Sequence, residues 1–259
     1  MFTHAIVRLP GSNFHQGLTD VGQGHLGVPD LDRTLVQHEA YCRALEALGL
    51  SLTILPADLD HPDSTFVEDT AVVVPGAAIF TRPGAESREG EVERIRPALE
   101  PHVQRTYAIT APGTVDGGDI CEAGSVVFIG RSHRTNAEGA RQLAAFLALE
   151  GYESRVVDIR EVPGILHLKS GLGALEGRTL VVIEALQAHP AFQDFHRLVV
   201  PPEEAYAANC IQVRDHVLIP AGHPAVAALL QAHGFRTLPL DMSEFQKMDG
   251  GLSCLSLRI

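Results

Sequence analysis

Val115-Asp116-Gly117-Gly118-Asp119-Ile120-Cys121, with Val126-Val127-Phe128-Ile129-Gly130 close behind, is the stretch that decides the fold. A polar, glycine-bearing turn opens it, two apolar runs of strand character follow, and a helical pattern comes next. Over residues 134–150, Ala140, Leu143, Ala144 and Leu147 fall on one helical face, and Gly151 supplies a stop. The same order recurs along the chain. On the N-terminal side stands Phe66-Val67-Glu68-Asp69-Thr70-Ala71-Val72-Val73-Val74, followed by Ala78-Ile79-Phe80-Thr81-Arg82-Pro83-Gly84. On the C-terminal side come Leu166-His167-Leu168-Lys169-Ser170-Gly171 with Thr179-Leu180-Val181-Val182-Ile183, then Ala208-Asn209-Cys210-Ile211-Gln212-Val213 with His216-Val217-Leu218-Ile219-Pro220. A fifth copy, Lys247-Met248-Asp249-Gly250-Gly251-Leu252-Ser253-Cys254, is followed by a single strand-like run, Leu255-Ser256-Leu257-Arg258-Ile259.

The fifth copy finds its missing parts at the other end. Thr3-His4-Ala5-Ile6-Val7-Arg8-Leu9-Pro10-Gly11 reads as strand and turn, and residues 32–48 read as a helix stopped by Gly49. The two ends of the chain would then build one unit jointly and close a ring. Anchor positions 69, 116, 167, 210 and 254 recur roughly every 45 residues. Strands alternating with helices give an α/β class. Five such units around an axis give a five-bladed α/β propeller with pseudo-fivefold symmetry, with residues 1–259 as one domain. Further helices are expected over 224–233, between Pro224 and Gly234, over 87–100, shortened or kinked by Pro97, and over 189–198.

Composition narrows the function. The 259 residues are 45% hydrophobic and 20% charged, which is globular, and the net charge of −12 argues against nucleic acid or an anionic membrane as partner. No apolar stretch is long enough to span a bilayer, and residues 1–10 lack a leader pattern, so a cytoplasmic location is expected. Cys42, Cys121, Cys210 and Cys254 lie far apart, with no metal-knuckle or redox spacing, and are read as free thiols.

Equivalent turns of a ring meet at its axis, so Asp69, Asp116, His167 and Cys254 are expected to converge. Taken singly, each has a plainer reading. A cysteine after Gly250-Gly251 fits a packed core residue as well as a nucleophile, and His167 between two leucines fits a satisfied core histidine. Acids at strand ends often only form turns. Glu68-Asp69 within an apolar run is harder to dismiss, because buried carboxylates need a partner and a guanidinium would supply one. Arg88 and Arg134 open the helical stretches of adjacent units, where they could rim one opening.

Together these motifs resemble the dimethylarginine dimethylaminohydrolase family of the guanidine-modifying superfamily, which has the pentein fold. The resemblance covers essentially the whole chain and rests on Phe66-Val67-Glu68-Asp69, Thr81-Arg82-Pro83-Gly84-Ala85, Val115-Asp116-Gly117-Gly118-Asp119, Arg134-Thr135-Asn136, Leu166-His167-Leu168-Lys169, Ala207-Ala208-Asn209-Cys210 and Asp249-Gly250-Gly251-Leu252-Ser253-Cys254. It implies hydrolysis of N-omega-methylated arginines to citrulline and a methylamine through a covalent cysteine adduct, with no metal or organic cofactor. It implies Cys254 as nucleophile, His167 as general acid and base, and Asp116 beside His167. Glu68 and Asp69 would take the guanidinium. Asp63, Arg88 and Arg134, with backbone carbonyls of Leu18 and Met248, would hold the amino-acid end. A homodimer is a family-level expectation.

Three alternatives stay in view. An arginine deiminase would carry an inserted helical domain and an acid two residues after the histidine, where this chain has Lys169. A non-enzymatic propeller would not need the cysteine, histidine and acids together. Transfer of the amidino group to an amine would use the same nucleophile.

Overall fold

The computed structural model describes residues 2–19 and 26–259. Among them are five three-stranded sheets. The central strands, His4–Arg8, Ala77–Phe80, Val126–Arg131, Thr179–Ile183 and His216–Pro220, are buried along nearly their whole length. That is why the sequence shows apolar runs there and not alternation. Each pairs antiparallel with the strand that follows an axial turn and parallel with a strand reached by a crossover. Five repeats of one mixed sheet make the five-bladed pentein architecture, as the repeat predicts.

The predicted closure of the ring is also present. Leu257–Arg258 pairs antiparallel with His4–Arg8, with Ile6 opposite Leu257 and Ala5 opposite Arg258, and Ser51–Leu55 completes the sheet in parallel. The C-terminal strand is shorter than the alternation of residues 255–259 suggests. Ser253–Leu255 forms a 3₁₀ turn, so Cys254 lies in that turn and not at the mouth of a strand.

Helices Leu31–Ala47, Glu91–Leu99, Ala137–Leu149 and Pro224–Ala232 occupy four crossovers. Asp30 and Asn136 cap two of them by accepting the amides of Arg33 and Gly139. The second starts later than expected, because Glu86–Arg88 forms a separate 3₁₀ turn; it continues through Pro97 for two more residues and then tightens to 3₁₀ over Glu100–His102. The helix expected over 189–198 does not form. Its apolar spacing belongs to a 3₁₀ turn, Pro190–Phe192, and to the strand His196–Val200, with Phe192 and Phe195 both set edge-on against Phe128. No helix among the described residues is long and apolar enough to cross a membrane.

Leu257 is 3% exposed and packs with Ile6, Val67, Ala71 and Phe80 across the closure. Leu257→Ala is expected to destabilise by about 2–5 kcal/mol in urea denaturation, whereas Leu149→Ala, at a 72% exposed helix end, should stay within about 0.5 kcal/mol. Equal, small effects would show that the terminal strand contributes nothing to the core.

Candidate active site

Five 3₁₀ turns surround the axis: Val67–Thr70, Gly117–Asp119, Leu168–Ser170, Pro202–Ala208 and Ser253–Leu255. Where these turns face one another, side chains of one satisfy backbone groups of the next. Asp69 Oδ1 accepts the Gly118 amide at 2.7 Å. Asp119 Oδ1 accepts the Leu168 amide at 3.0 Å. Asn209 Oδ1 accepts the Ser253 amide at 3.0 Å, and its Nδ2 donates to Lys169 O at 2.9 Å. Arg258 closes the circuit, donating to Ser253 O and to Glu68. Glycines let the turns approach this closely: a Cβ on Gly117 would collide with Glu68 O, and one on Gly250 with the Phe66 ring. The left-handed residue of the last turn region is Asp249, at φ 57°, and not either glycine beside it.

At the axis the walls surround a cleft lined by Cys254, His167, Asp69, Phe66, Leu166 and Gly250, with Leu18, Asp63, Arg88, Arg134, Met248 and Asp249 around them. His167 Nε2 lies 3.0 Å from Asp116 Oδ2, and the other Asp116 oxygen accepts the Gly84 amide at 2.7 Å. Burial alone would lower the His167 pKa, but Asp69, Asp119 and Asp116 outweigh it and raise it to about 9. The ring is therefore an imidazolium near neutrality. The Cys254 thiol is pushed up to about 12, first by burial and then by the charges of Glu68 and Asp69, against the opposing Gly251 amide and Lys169. Near neutrality the cysteine is a thiol.

Most sequence-predicted residues meet here, with instructive differences. Arg88 borders the cleft, but its guanidinium is already engaged by the chain. It is 5% exposed and donates to Asp69 Oδ2 at 2.6 Å, to both Glu91 oxygens and to the carbonyls of Asp63 and Phe66. Burial would raise the Asp69 pKa, yet Arg88, with His167 and the Gly118 amide, holds it at about 2. Asp69 is thus a fixed anion facing the cleft. Glu68 does not line it. Lys169 Nζ at 2.6 Å and Arg258 Nη2 at 3.0 Å both take its Oε1. Leu18 lines the cleft while its amide donates to both Asp63 oxygens.

Asp119 and Asn209, to which the sequence reading assigns no role, are joints between turns. Asp119 also accepts the hydroxyls of Ser132 and Thr135, each at 2.6 Å, and so fixes the loop that carries Arg134. Asp69, Asp116 and His167 hold ligand atoms within 4.8 Å of one another, but both acids already accept from donors of the chain, Asp69 from Arg88 and Gly118 and Asp116 from Gly84.

No family model matches the chain. It is 47% identical to an N(G),N(G)-dimethylarginine dimethylaminohydrolase of Pseudomonas aeruginosa, each covered over its full length. It is 38% identical to the protein of that name from Streptomyces coelicolor, over 98% of this chain and 96% of the relative. A solved structure of the Pseudomonas aeruginosa enzyme, a cysteine-to-serine mutant complexed with citrulline, matches with a TM-score of 0.95 and 45% identity over the whole of both chains. The N-terminal domain of a cyanobacterial arginine dihydrolase shares the fold, with a TM-score of 0.87 at 16% identity. With identity sustained along its full length, the chain belongs to the dimethylarginine dimethylaminohydrolase family.

Proposed function

We propose that the chain is a hydrolase that converts N-omega-methylated arginines to citrulline and dimethylamine or methylamine, with Cys254 as nucleophile. The observation that carries this reading is a thiol and an imidazolium on the wall of one cleft that also holds a fixed carboxylate, Asp69. A guanidinium bound against Asp69 brings positive charge beside the thiol and lowers its pKa, so the thiol releases its proton to solvent and the thiolate forms when the substrate arrives. Sγ attacks the central guanidinium carbon, and the tetrahedral adduct collapses as His167 gives its proton to the departing dimethylamine. The carbon–nitrogen bond breaks and a thiouronium remains on Cys254. Water then adds to that carbon and loses its proton to His167. The carbon–sulfur bond breaks, and citrulline leaves.

Asp116 orients and charges the imidazole for both steps. At the amino-acid end, Arg134 would take the carboxylate and Asp63 the ammonium, with Leu18 and Met248 closing the walls. Arg88 acts there through Asp69 and Asp63. A further solved structure, a histidine-to-glycine variant of a dimethylarginine dimethylaminohydrolase, is an adduct with S-methyl-L-thiocitrulline. The cysteine and histidine altered in the two relatives' structures stand as far apart in sequence as Cys254 and His167 do here. Preference for a methylated substrate fits Lys169, which carries positive charge and neutralises Glu68 where a deiminase would place a second acid.

Purified protein should release citrulline from asymmetric dimethylarginine far faster than from arginine; faster release of ammonia from arginine would overturn the reading. The raised thiol pKa gives a second test. Near pH 7 a cationic haloacetamidine should label Cys254 at least about tenfold faster than the neutral haloacetamide, with the gap closing as pH climbs toward the thiol pKa. Cys42, Cys121 and Cys210 are buried and should stay unlabelled. Equal rates for the two reagents at pH 7 would contradict a thiol that needs a bound cation.

A further inference from the structure

We propose that Asn209 is the positioning residue that holds the nucleophile and the general acid in register, an inference that rests on the function proposed above. Asn209 does not line the cleft. It follows the fourth axial turn, is 6% exposed, and spends its whole amide on the two turns that matter. Its Oδ1 accepts the amide of Ser253, the residue before Cys254. Its Nδ2 donates to Ser253 Oγ at 3.0 Å and to Lys169 O, two residues after His167. A Cβ on Gly251 would sit 2.5 Å from Asn209 Cγ, so the amide is also clamped against the glycine turn that leads to Cys254.

The comparison around the axis shows why an amide is needed here. At two other joints the bridging group is a carboxylate that accepts from the following turn: Asp69 from Gly118 and Asp119 from Leu168. Asn209 makes that same joint toward Ser253 and, in addition, the reverse joint back to Lys169. A carboxylate cannot donate, so it could form only one of the two. Its charge beside Cys254 would also oppose thiolate formation. The neutral amide is the group that ties both neighbours without that cost.

Asn209→Ala should lower kcat on asymmetric dimethylarginine by about 10²-fold, with KM within about threefold, because misplacing reacting groups costs rate more than binding. Alkylation of Cys254 by neutral haloacetamide at high pH, which needs no general acid, should keep its wild-type rate. Asn209→Leu, neutral and close in volume but able to make neither joint, should also lose kcat, and it provides the same readouts if the alanine variant does not fold. An unchanged kcat in a folded variant overturns the inference, as does a parallel fall of kcat, alkylation and melting temperature, which would mark a purely structural role. A wild-type protein without activity on the methylated substrate would instead overturn the proposed function.

Discussion

The fold is governed by a satisfaction problem at its axis. Five tight turns meet where water is largely excluded, and each carries amides and carbonyls that need partners. The solution is a circuit of side chains, each bonding the backbone of a neighbouring turn: Asp69 to Gly118, Asp119 to Leu168, Asn209 to Lys169 and Ser253, and Arg258 to Ser253 and Glu68. The residues with chemical potential are members of that circuit or sit one or two positions from it. The same bonds that let the turns pack therefore also fix the geometry of Cys254 and His167.

Charge is distributed around the circuit unevenly. Arg88 buries itself against Asp69 and Glu91, a costly arrangement that holds Asp69 ionised and aimed at the cleft. Lys169 and Arg258 converge on Glu68 and remove a second negative charge from the cleft wall. Beside the Cys254 thiol the cleft wall carries the Asp69 carboxylate and the His167 imidazolium, with Asp63, Asp249, Arg88 and Arg134 around them. That set is poorly disposed to react with passing electrophiles and well disposed to receive a cation.

Much of this was legible in the sequence because it depended on periodic features. Wholly buried central strands leave unbroken apolar runs, and their spacing gave the five units and the closure of Leu257–Arg258 on His4–Arg8. The convergence of Asp69, His167 and Cys254 followed from equivalence of position alone. What sequence spacing did not convey was which neighbour each charge would choose. Arg88 borders the cleft yet is taken up by Asp69, Glu91 and the carbonyls of Asp63 and Phe66, and Glu68 is held by Lys169 and Arg258. The helix expected over 189–198 was a different error: Phe192, Phe195 and Leu198 have helical spacing but pack from a 3₁₀ turn and a strand.

The central claim is that the axis brings Cys254 to bear covalently on a guanidinium carbon. Acid quenching during turnover of asymmetric dimethylarginine, followed by mass spectrometry of the peptide carrying Cys254, tests it directly. The account predicts an added mass equal to the substrate less dimethylamine, confined to that peptide and absent from Cys254→Ser. Full turnover by Cys254→Ser, or steady turnover with Cys254 unmodified at every quench time while another residue carries the adduct, would contradict it.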